Sequence, residues 1–152
     1  MFPIKHKNYK EDRFIIREWN KLNYCLKEAK KVTIFGYSAP RSDVEAISAM
    51  QSAWGSPLKR NMEQFEFIDI RSEQDIIYSW SSFIHSHHYD FCTDFFQSIL
   101  VHYPRRTFEA HMLQTLPITP EEAFVEPLPI PHKEIHSFEE MWAWYEPLIA
   151  KE

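Results

Sequence analysis

The residues with the clearest capacity for chemistry lie in one turn, which follows a short apolar run and opens a helix. In the segment Val32–Asp43, Gly36 ends the apolar run and Pro40 turns the chain. Ser42-Asp43-Val44-Glu45 then has the pattern of a helix capping box. A strand that leads through a small-residue turn into a helix N-terminus is how many α/β proteins form a ligand crevice. The turn is therefore the first candidate for a binding site.

Three residues of this turn have properties that suit a sugar-bearing ligand. Gly36 lacks a side chain, so a ligand can approach its backbone closely. Ser38 offers a hydroxyl group, and the carboxylate of Asp43 can accept hydrogen bonds from ribose hydroxyls. An acidic side chain at a helix N-terminus opposes phosphate binding, so we expect Asp43 to contact sugar. The alternative stays open that Gly36 only ends a strand while Ser42 and Asp43 only cap a helix.

Three histidines that lie close together raise the question of a metal site or a catalytic base. His85, His87 and His88 precede Asp90 and Cys92, but no HExxH or paired CxxC spacing is present. We therefore expect no bound metal. His87 and His88 are the catalytic candidates, because a neutral imidazole can act as a general base without a metal. The alternative is a loop of partly buried histidines that leads into a helix.

Two further positions carry charges that could contact a ligand. Asp69 lies near the end of a predicted strand, where Rossmann-type folds often place an acid that binds ribose. Arg105 and Arg106 follow a proline and form a rigid basic corner that can grip a phosphate or carboxylate. Each has a structural alternative: Asp69 can cap the turn before Ser72, and the arginines can pair with Glu109.

The elements that position these residues follow from hydrophobic periodicity and capping signals. Residues 11–84 read as αβαβα, which is typical of a parallel sheet flanked by helices. The predicted elements of this part are a helix Glu11–Lys30, a strand Val32–Phe35, a helix Ser42–Trp54, a strand Phe65–Ile70 and a helix from Ser72. Two strands make a poor sheet, so either weaker strands lie elsewhere or the sheet is part of a larger one.

The second half of the chain, residues 85–152, reads as a mostly helical, aromatic-rich extension. We predict helices over Asp90–Tyr103 and Thr107–Leu116, a proline-rich linker over residues 117–131, and a final aromatic helix opened by a capping box at Ser137. The fold class is therefore α/β, with a small parallel Rossmann-like sheet and a helical C-terminal half in one domain of 152 residues.

Composition excludes several classes of partner. The net charge of −5 and the pI near 5.9 give no indication of nucleic-acid binding. No apolar run approaches the roughly 20 residues that cross a bilayer, and the N-terminus lacks the apolar region of a secretory signal. Cys25 and Cys92 have no CxxC spacing, so we expect reduced thiols in a cytoplasmic protein. The aromatic content of 16% predicts apolar surface for a homodimer or a partner chain.

The segment Gly36-Tyr37-Ser38-Ala39-Pro40, with Asp43 three residues further, resembles the late nucleotide-binding segment of the SIR2-like (sirtuin-related) family. The resemblance covers about residues 30–70, and it concerns only the C-terminal portion of the family's Rossmann lobe. It implies that Gly36, Tyr37, Ser38 and Asp43 bind NAD or an ADP-ribose-like nucleotide. The early glycine turn and the catalytic segments of the family are missing, so complete catalytic machinery is not expected.

Three functions are compatible with these residues. The first is a nucleotide-binding partial lobe, the second a non-enzymatic interaction domain with a degenerate pocket, and the third a metal-dependent hydrolase centred on the histidines. The intact Gly36-Tyr37-Ser38 turn favours the first, whereas the presence of only two glycines favours the second.

Overall fold

A computed structural model describes residues 12–37, 39, 43–123 and 135–151 of the chain. Its helices are α1 (Arg13–Glu28), α2 (Val44–Trp54), α3 (Glu73–Trp80), α4 (Ile99–His102), α5 (Thr107–Gln114), α6 (Pro120–Ala123) and α7 (Phe138–Lys151). Its strands are β1 (Lys31–Phe35), β2 (Gln64–Ile68) and β3 (Tyr89–Cys92). The chain divides into two compact units, residues 1–91 and 92–152. The predicted α/β class is confirmed.

The sheet has the strand order β1-β2-β3, and β1 pairs with β2 in parallel. Val32 lies opposite Phe65, and Ile34 lies opposite Phe67. The predicted parallel pairing of these two strands is therefore confirmed. The observed strands begin one residue earlier than predicted, and β2 ends at Ile68, which leaves Asp69 in the following turn.

The predicted helix over Asp90–Tyr103 is wrong. Its first residues belong to β3, and the rest forms a short 3-10 turn and the short helix α4. Tyr89 and Phe91 alternate with Asp90, and this period of two places both aromatic rings against the core of the first unit. β3 is therefore a third, weaker strand of the kind expected elsewhere in the chain. The second half of the chain is not wholly helical.

Successive caps explain why no continuous helix follows β3. The Asp94 carboxylate accepts a hydrogen bond from Phe96 N, and the Ser98 hydroxyl accepts one from Leu100 N. Each cap starts a new short element, first a 3-10 turn over Phe95–Gln97 and then α4. The proline-rich linker predicted for residues 117–131 lies outside the described residues from residue 124 onward. Its earlier part contains α6.

Aromatic side chains fill the space between the sheet and its helices. Phe65 and Phe67 of β2 stack at 5.7 Å between ring centroids, and Trp54 of α2 and Trp80 of α3 pack against them. Trp54 also donates its indole N–H to Phe83 O at 2.9 Å, so its polar atom is satisfied in the core. These rings fix α2 and α3 on one face of the sheet.

The opposite face of the sheet carries a buried polar layer. Glu66 of β2 is only 1% exposed, and its carboxylate accepts a hydrogen bond of 2.8 Å from the Thr33 hydroxyl. Lys31 lies 3.0 Å from Asp90 and 4.0 Å from Glu66, between two carboxylates. The alternation Phe-Glu-Phe in β2 therefore separates an aromatic face from a charged face, as the period of a strand requires.

Arg60, in the loop before β2, joins the ends of two helices. Its guanidinium donates to the carbonyl oxygens of Leu26, Lys27 and Ala29 at the end of α1, at 2.6 to 3.1 Å. It also donates to Trp54 O at 2.9 Å and lies 4.3 Å from the centroid of the Trp54 ring. Carbonyls in the last turn of a helix lack intrahelical partners, and Arg60 supplies donors for four such groups.

We expect Arg60→Ala to lower the free energy of unfolding by about 3 kcal/mol, because several partly buried carbonyls lose a charged donor. Arg60→Lys should recover only a small part of this loss, since an ammonium group cannot contact two helix ends at once. Urea denaturation followed by circular dichroism measures both. Lys59→Ala, on the exposed turn before Arg60, is the control and should change little. An alanine variant as stable as the wild type would contradict the assignment.

Glu63 links the same loop to Lys30 and should make stability depend on pH. Burial raises the pKa of Glu63, but the hydrogen bond from Lys30 and the charges of Lys30 and Arg60 outweigh it, so the pKa lies below its ordinary value of 4.5. A carboxyl group whose pKa is lowered in the folded state stabilises the fold at pH values above its ordinary pKa. This stabilisation is lost as the pH falls through the folded-state pKa. We expect Glu63→Gln to be less stable at pH 7 and to lose less stability below about pH 4.5. Parallel urea titrations at pH 7 and pH 3 check this, and equal losses in both proteins would refute it.

Candidate functional site

The ends of β1 and β2 meet at one edge of the sheet. Gly36 N, directly after β1, donates a hydrogen bond of 2.9 Å to Ile68 O, the last residue of β2. Asp69 follows immediately, so the turn of Gly36 and the turn of Asp69 are neighbours. Parallel sheets place ligand crevices outside the carboxyl ends of their strands, and the two sequence-predicted segments come together there.

The backbone of the first turn bends through the left-handed region. Gly36 has φ +63°, and Ala39 has φ +45° while its side chain is buried. A Cβ atom built on Gly36 would meet no atom of a described residue within 4 Å. The φ angle therefore favours glycine at this position, and the described residues leave the space above it open. Ser38, Pro40, Arg41 and Ser42 lie outside the described residues.

Tyr37 and Asp43 contact each other across this turn. The Tyr37 hydroxyl lies 3.5 Å from the Asp43 carboxylate, and the Tyr37 ring packs edge-on against Trp80 at 5.9 Å. The capping box predicted at Ser42-Asp43-Val44-Glu45 requires correction, because Asp43 occupies the N-cap and α2 begins at Val44. The Asp43 side chain makes no capping hydrogen bond, so it does not satisfy the amides of the first turn of α2.

Asp69 is held by Arg71, a residue that the sequence interpretation missed. Asp69 Oδ1 accepts from Arg71 N at 2.9 Å and from Arg71 Nε at 3.1 Å, and Oδ2 accepts from Nη2 at 2.8 Å. The hydrogen bonds from Arg71 lower the pKa of Asp69, and burial opposes them only in part. The Asp-x-Arg spacing after a strand was the available signal. This pairing matches the structural alternative for Asp69, a carboxylate that fixes its own turn.

The described charges at this edge are mainly negative. Asp43 and Asp69 lie in the two turns, and Glu73 and Asp75 lie in the first turn of α3, whereas Arg71 is their only described cation. The acids of α3 suit the positive end of that helix. These carboxylates can accept hydrogen bonds from sugar hydroxyls. Arg41, in the same turn of the sequence, lies outside the described residues, so this count of charges covers the described residues alone.

The histidines lie at the other edge of the sheet. His88 O accepts from Phe65 N, near the beginning of β2, which is about 13 Å from Asp69 at roughly 3.3 Å per residue. The rings of His85 and His87 pack edge-on around His88 at 5.4 and 5.5 Å. His87 and His88 are thus not brought together with the turn of Gly36.

No group of three or more His, Cys, Asp or Glu side chains in the described part of the chain is arranged to hold a metal ion. The exposed His87 Nδ1 instead lies 3.0 Å from the hydroxyl of Ser86, whose φ is +54°. The expectation of no metal at the histidines stays a prediction, as does the role of His87 and His88 as bases.

The two arginines predicted to bind an anion each contact groups of the second unit. Arg106 makes a bidentate pair with Glu109, with N–O distances of 2.9 and 2.8 Å. The hydrogen bond from Arg106 lowers the pKa of Glu109. Arg105 donates to Ile149 O at 2.8 Å, close to the end of α7. This arrangement agrees with the structural alternative for Arg106, which pairs with an acid of its own helix.

A cleft of about 600 Å³ in the second unit was not anticipated from the sequence. Its described lining combines apolar side chains with uncharged polar ones: Gln97, Ile99, His102, Tyr103, Gln114, Leu116, Pro117, Ile118 and Thr119. His102 Nε2 lies 3.0 Å from Phe96 O, which fixes the orientation of the ring. The size lies within the range of small-molecule sites.

The structure is that of an α/β protein with a small parallel sheet, and the turns of Gly36 and Asp69 lie at the carboxyl end of its strands. Comparison of the chain with protein-family models, with curated proteins and with solved structures gives no match. The sirtuin-related interpretation therefore stays a prediction that depends on the residues of the Gly36 turn. Among the described helices, none has the length and apolar character needed to cross a membrane.

The pairing of Asp69 with Arg71 leads to a test by NMR. We expect Arg71→Ala to raise the pKa of Asp69 towards or above its ordinary value, because burial then acts without the opposing hydrogen bonds. Carboxyl-carbon chemical shifts recorded from pH 2 to pH 7 measure it (roughly the range in which carboxyls titrate). Arg106→Ala is a matched control that removes a different bidentate arginine. An unchanged Asp69 titration in the Arg71 variant would show that the pair does not persist in solution.

Proposed function

We propose that this chain is a nucleotide-binding partial lobe, which binds NAD or an ADP-ribose-like nucleotide at the carboxyl edge of its sheet. The observation that carries the proposal is the open space above Gly36, at the end of β1 and beside the start of α2. A ligand that enters this space meets exposed backbone and the N-terminus of a helix whose N-cap side chain makes no capping bond.

The proposed contacts follow from the residues around that space. Asp43 accepts hydrogen bonds from ribose hydroxyls, and the amides of the first turn of α2 interact with the nearest phosphate. The Tyr37 hydroxyl lies beside Asp43 and adds a polar group at the same place. Ser38 lies outside the described residues, and we include it as a ligand contact because of its place in the sequence of the turn. A ligand hydroxyl must compete with Arg71 for the Asp69 carboxylate, so the contribution of Asp69 to the binding free energy is small.

We assign binding without a complete reaction. The catalytic candidates His87 and His88 lie near the beginning of β2, at the edge of the sheet opposite the turn of Gly36, so we assign neither of them as a base for a ligand at that turn. The metal-hydrolase alternative requires convergent ligands, which the described residues do not provide. A cytoplasmic location belongs to the same proposal, since Cys25 and Cys92 are free thiols.

Gly36→Asn tests the binding site, because asparagine tolerates a left-handed backbone better than a β-branched residue and places a side chain in the open space. We expect at least a tenfold weaker affinity in isothermal titration with NAD, ADP-ribose or ATP. Ser86→Asn is the matched control, since Ser86 also has a positive φ of +54° and is exposed at the other edge of the sheet. Thermal melts of both variants separate lost binding from lost folding.

Two results would contradict the proposal. The first is unchanged affinity in the Gly36 variant, which would place the ligand elsewhere. The second is the absence of binding heat with all three nucleotides for the wild-type protein, which would favour an interaction domain with a degenerate pocket.

The second candidate function is that interaction domain, and one observation favours it. Phe138 and Trp142 of α7 are 66% and 46% exposed, and their rings stack at 6.4 Å with an interplanar angle of 16°. Exposed apolar patches on proteins mark interfaces. In this form of the proposal the chain is a homodimer or binds a partner chain. The interface then buries at least roughly 1,000 Å² of accessible surface in total.

Trp142→Ala should weaken this association by at least tenfold, because tryptophan is among the residues enriched at binding hot spots. Light scattering over the micromolar range measures the molar mass as a function of concentration. Tyr78→Ala is the control, since Tyr78 is an exposed aromatic residue on α3, outside the proposed interface. A wild-type protein that remains monomeric would remove the homodimer form of this candidate.

A further inference from the structure

The aromatic row of α7, defined as Phe138, Trp142 and Tyr145, lies on one side of the helix. Its members are spaced by four and three residues, and Trp142 contacts both of the others at 6.3 to 6.4 Å between ring centroids. The neighbouring Trp144 packs edge-on against Phe96 at 5.7 Å, which anchors α7 to the second unit by a different side. The row is therefore left at the surface.

Two acids border the aromatic row. Glu139 and Glu146 are seven residues apart, so they lie on the same side of α7, and both are exposed. Neither makes an ion pair with a described residue. α7 therefore presents a surface that is apolar in its centre and negatively charged along one border.

α1 presents the complementary surface. Of its sixteen residues only Leu26 is buried, whereas Phe14 and Tyr24 are 70% and 66% exposed. The basic row of α1, defined as Arg13, Arg17 and Lys21, repeats at steps of four residues and lies on the same side of the helix as those two rings. None of its three members makes an ion pair with a described residue.

We propose that α7 of one copy packs against α1 of a second copy. This rests on the interaction-domain candidate and names its partner and its surfaces. At roughly 1.5 Å per residue, the basic row spans about 12 Å and the acidic border about 10 Å, so the opposite charges match in extent. The aromatic rings supply the affinity, and the charges select the partner helix.

A second copy is the partner that the charges favour. The chain has a net charge of −5, so a basic face on one of its helices is a local exception. An acidic face of matching length is present on another helix of the same chain, and both faces are exposed in the folded chain. Because each copy carries both faces, a second copy supplies a partner for either one.

Charge reversal on each helix separates this pairing from other modes of association. The α1 variant carries Arg13→Glu, Arg17→Glu and Lys21→Glu, and the α7 variant carries Glu139→Lys and Glu146→Lys. Each alone places like charges against each other, so we expect at least tenfold weaker self-association in sedimentation velocity. In an equimolar mixture each reversed helix meets an opposite charge, and association should return to the wild-type level.

Recovery in the mixture is the decisive result, because two misfolded variants would not restore each other. Lys59→Glu, on an exposed turn of the first unit, is the control and should associate as the wild type does. Raising the salt concentration should weaken the wild-type assembly, since exposed charges are screened over about 8 Å at physiological ionic strength.

Three outcomes would overturn the pairing. A wild-type chain that is monomeric throughout the micromolar range excludes a second copy as the partner. Variants that each associate as tightly as the wild type show that the charged faces do not meet, while Trp142→Ala still reports whether α7 is an interface. A mixture that fails to recover, although both variants are folded by circular dichroism, rejects α1 as the partner of α7.

Discussion

The packing of the first unit depends on one guanidinium group. The last carbonyls of α1 and the last carbonyl of α2 point out of their helices, and at the sheet end where they lie they would be desolvated without a partner. Arg60 donates to four of them and covers the Trp54 ring, so one side chain closes both helices. Its fork of donors is necessary because the acceptors belong to two elements. The chain can then enter β1 and β2 side by side, which fixes the parallel register.

The two faces of the sheet have opposite chemistry, and the centre of β2 shows why. Phe65 and Phe67 contact the tryptophans of α2 and α3, whereas Glu66 between them lies on the polar side with Thr33. A buried carboxylate is costly unless it is hydrogen-bonded and close to a cation, and Lys31 supplies that charge. This layer contributes to the specificity of the strand register, because a shift by one residue would place Glu66 among the aromatic rings.

Much of this fold was predictable from local patterns. The Ser72 cap of α3, the Gly55 stop of α2 and the parallel pairing of β1 with β2 all follow from residues close together in the sequence. β3 was missed because Phe91, Phe95 and Phe96 also have a helix-like spacing, and only the caps at Asp94 and Ser98 break it. Arg71 was missed because a pair two residues apart has no periodic signal. The contacts of Arg60 cross more than thirty residues, which no local pattern encodes.

The same distribution of contacts determines which edge of the sheet can bind a ligand. At the edge where the strands begin, Arg60 lies between the ends of α1 and α2. The Glu63 carboxylate forms ion pairs there with Arg60 and Lys30. At the edge where the strands end, Gly36 is exposed and the Asp43 side chain makes no capping hydrogen bond to α2. Polar groups that a fold does not use are those a ligand can use, since binding then costs no internal hydrogen bond. At the carboxyl edge this condition concerns the amides at the start of α2, which Asp43 does not cap, because Gly36 N already donates to Ile68 O. Asp69 meets it only after its hydrogen bonds to Arg71 are broken.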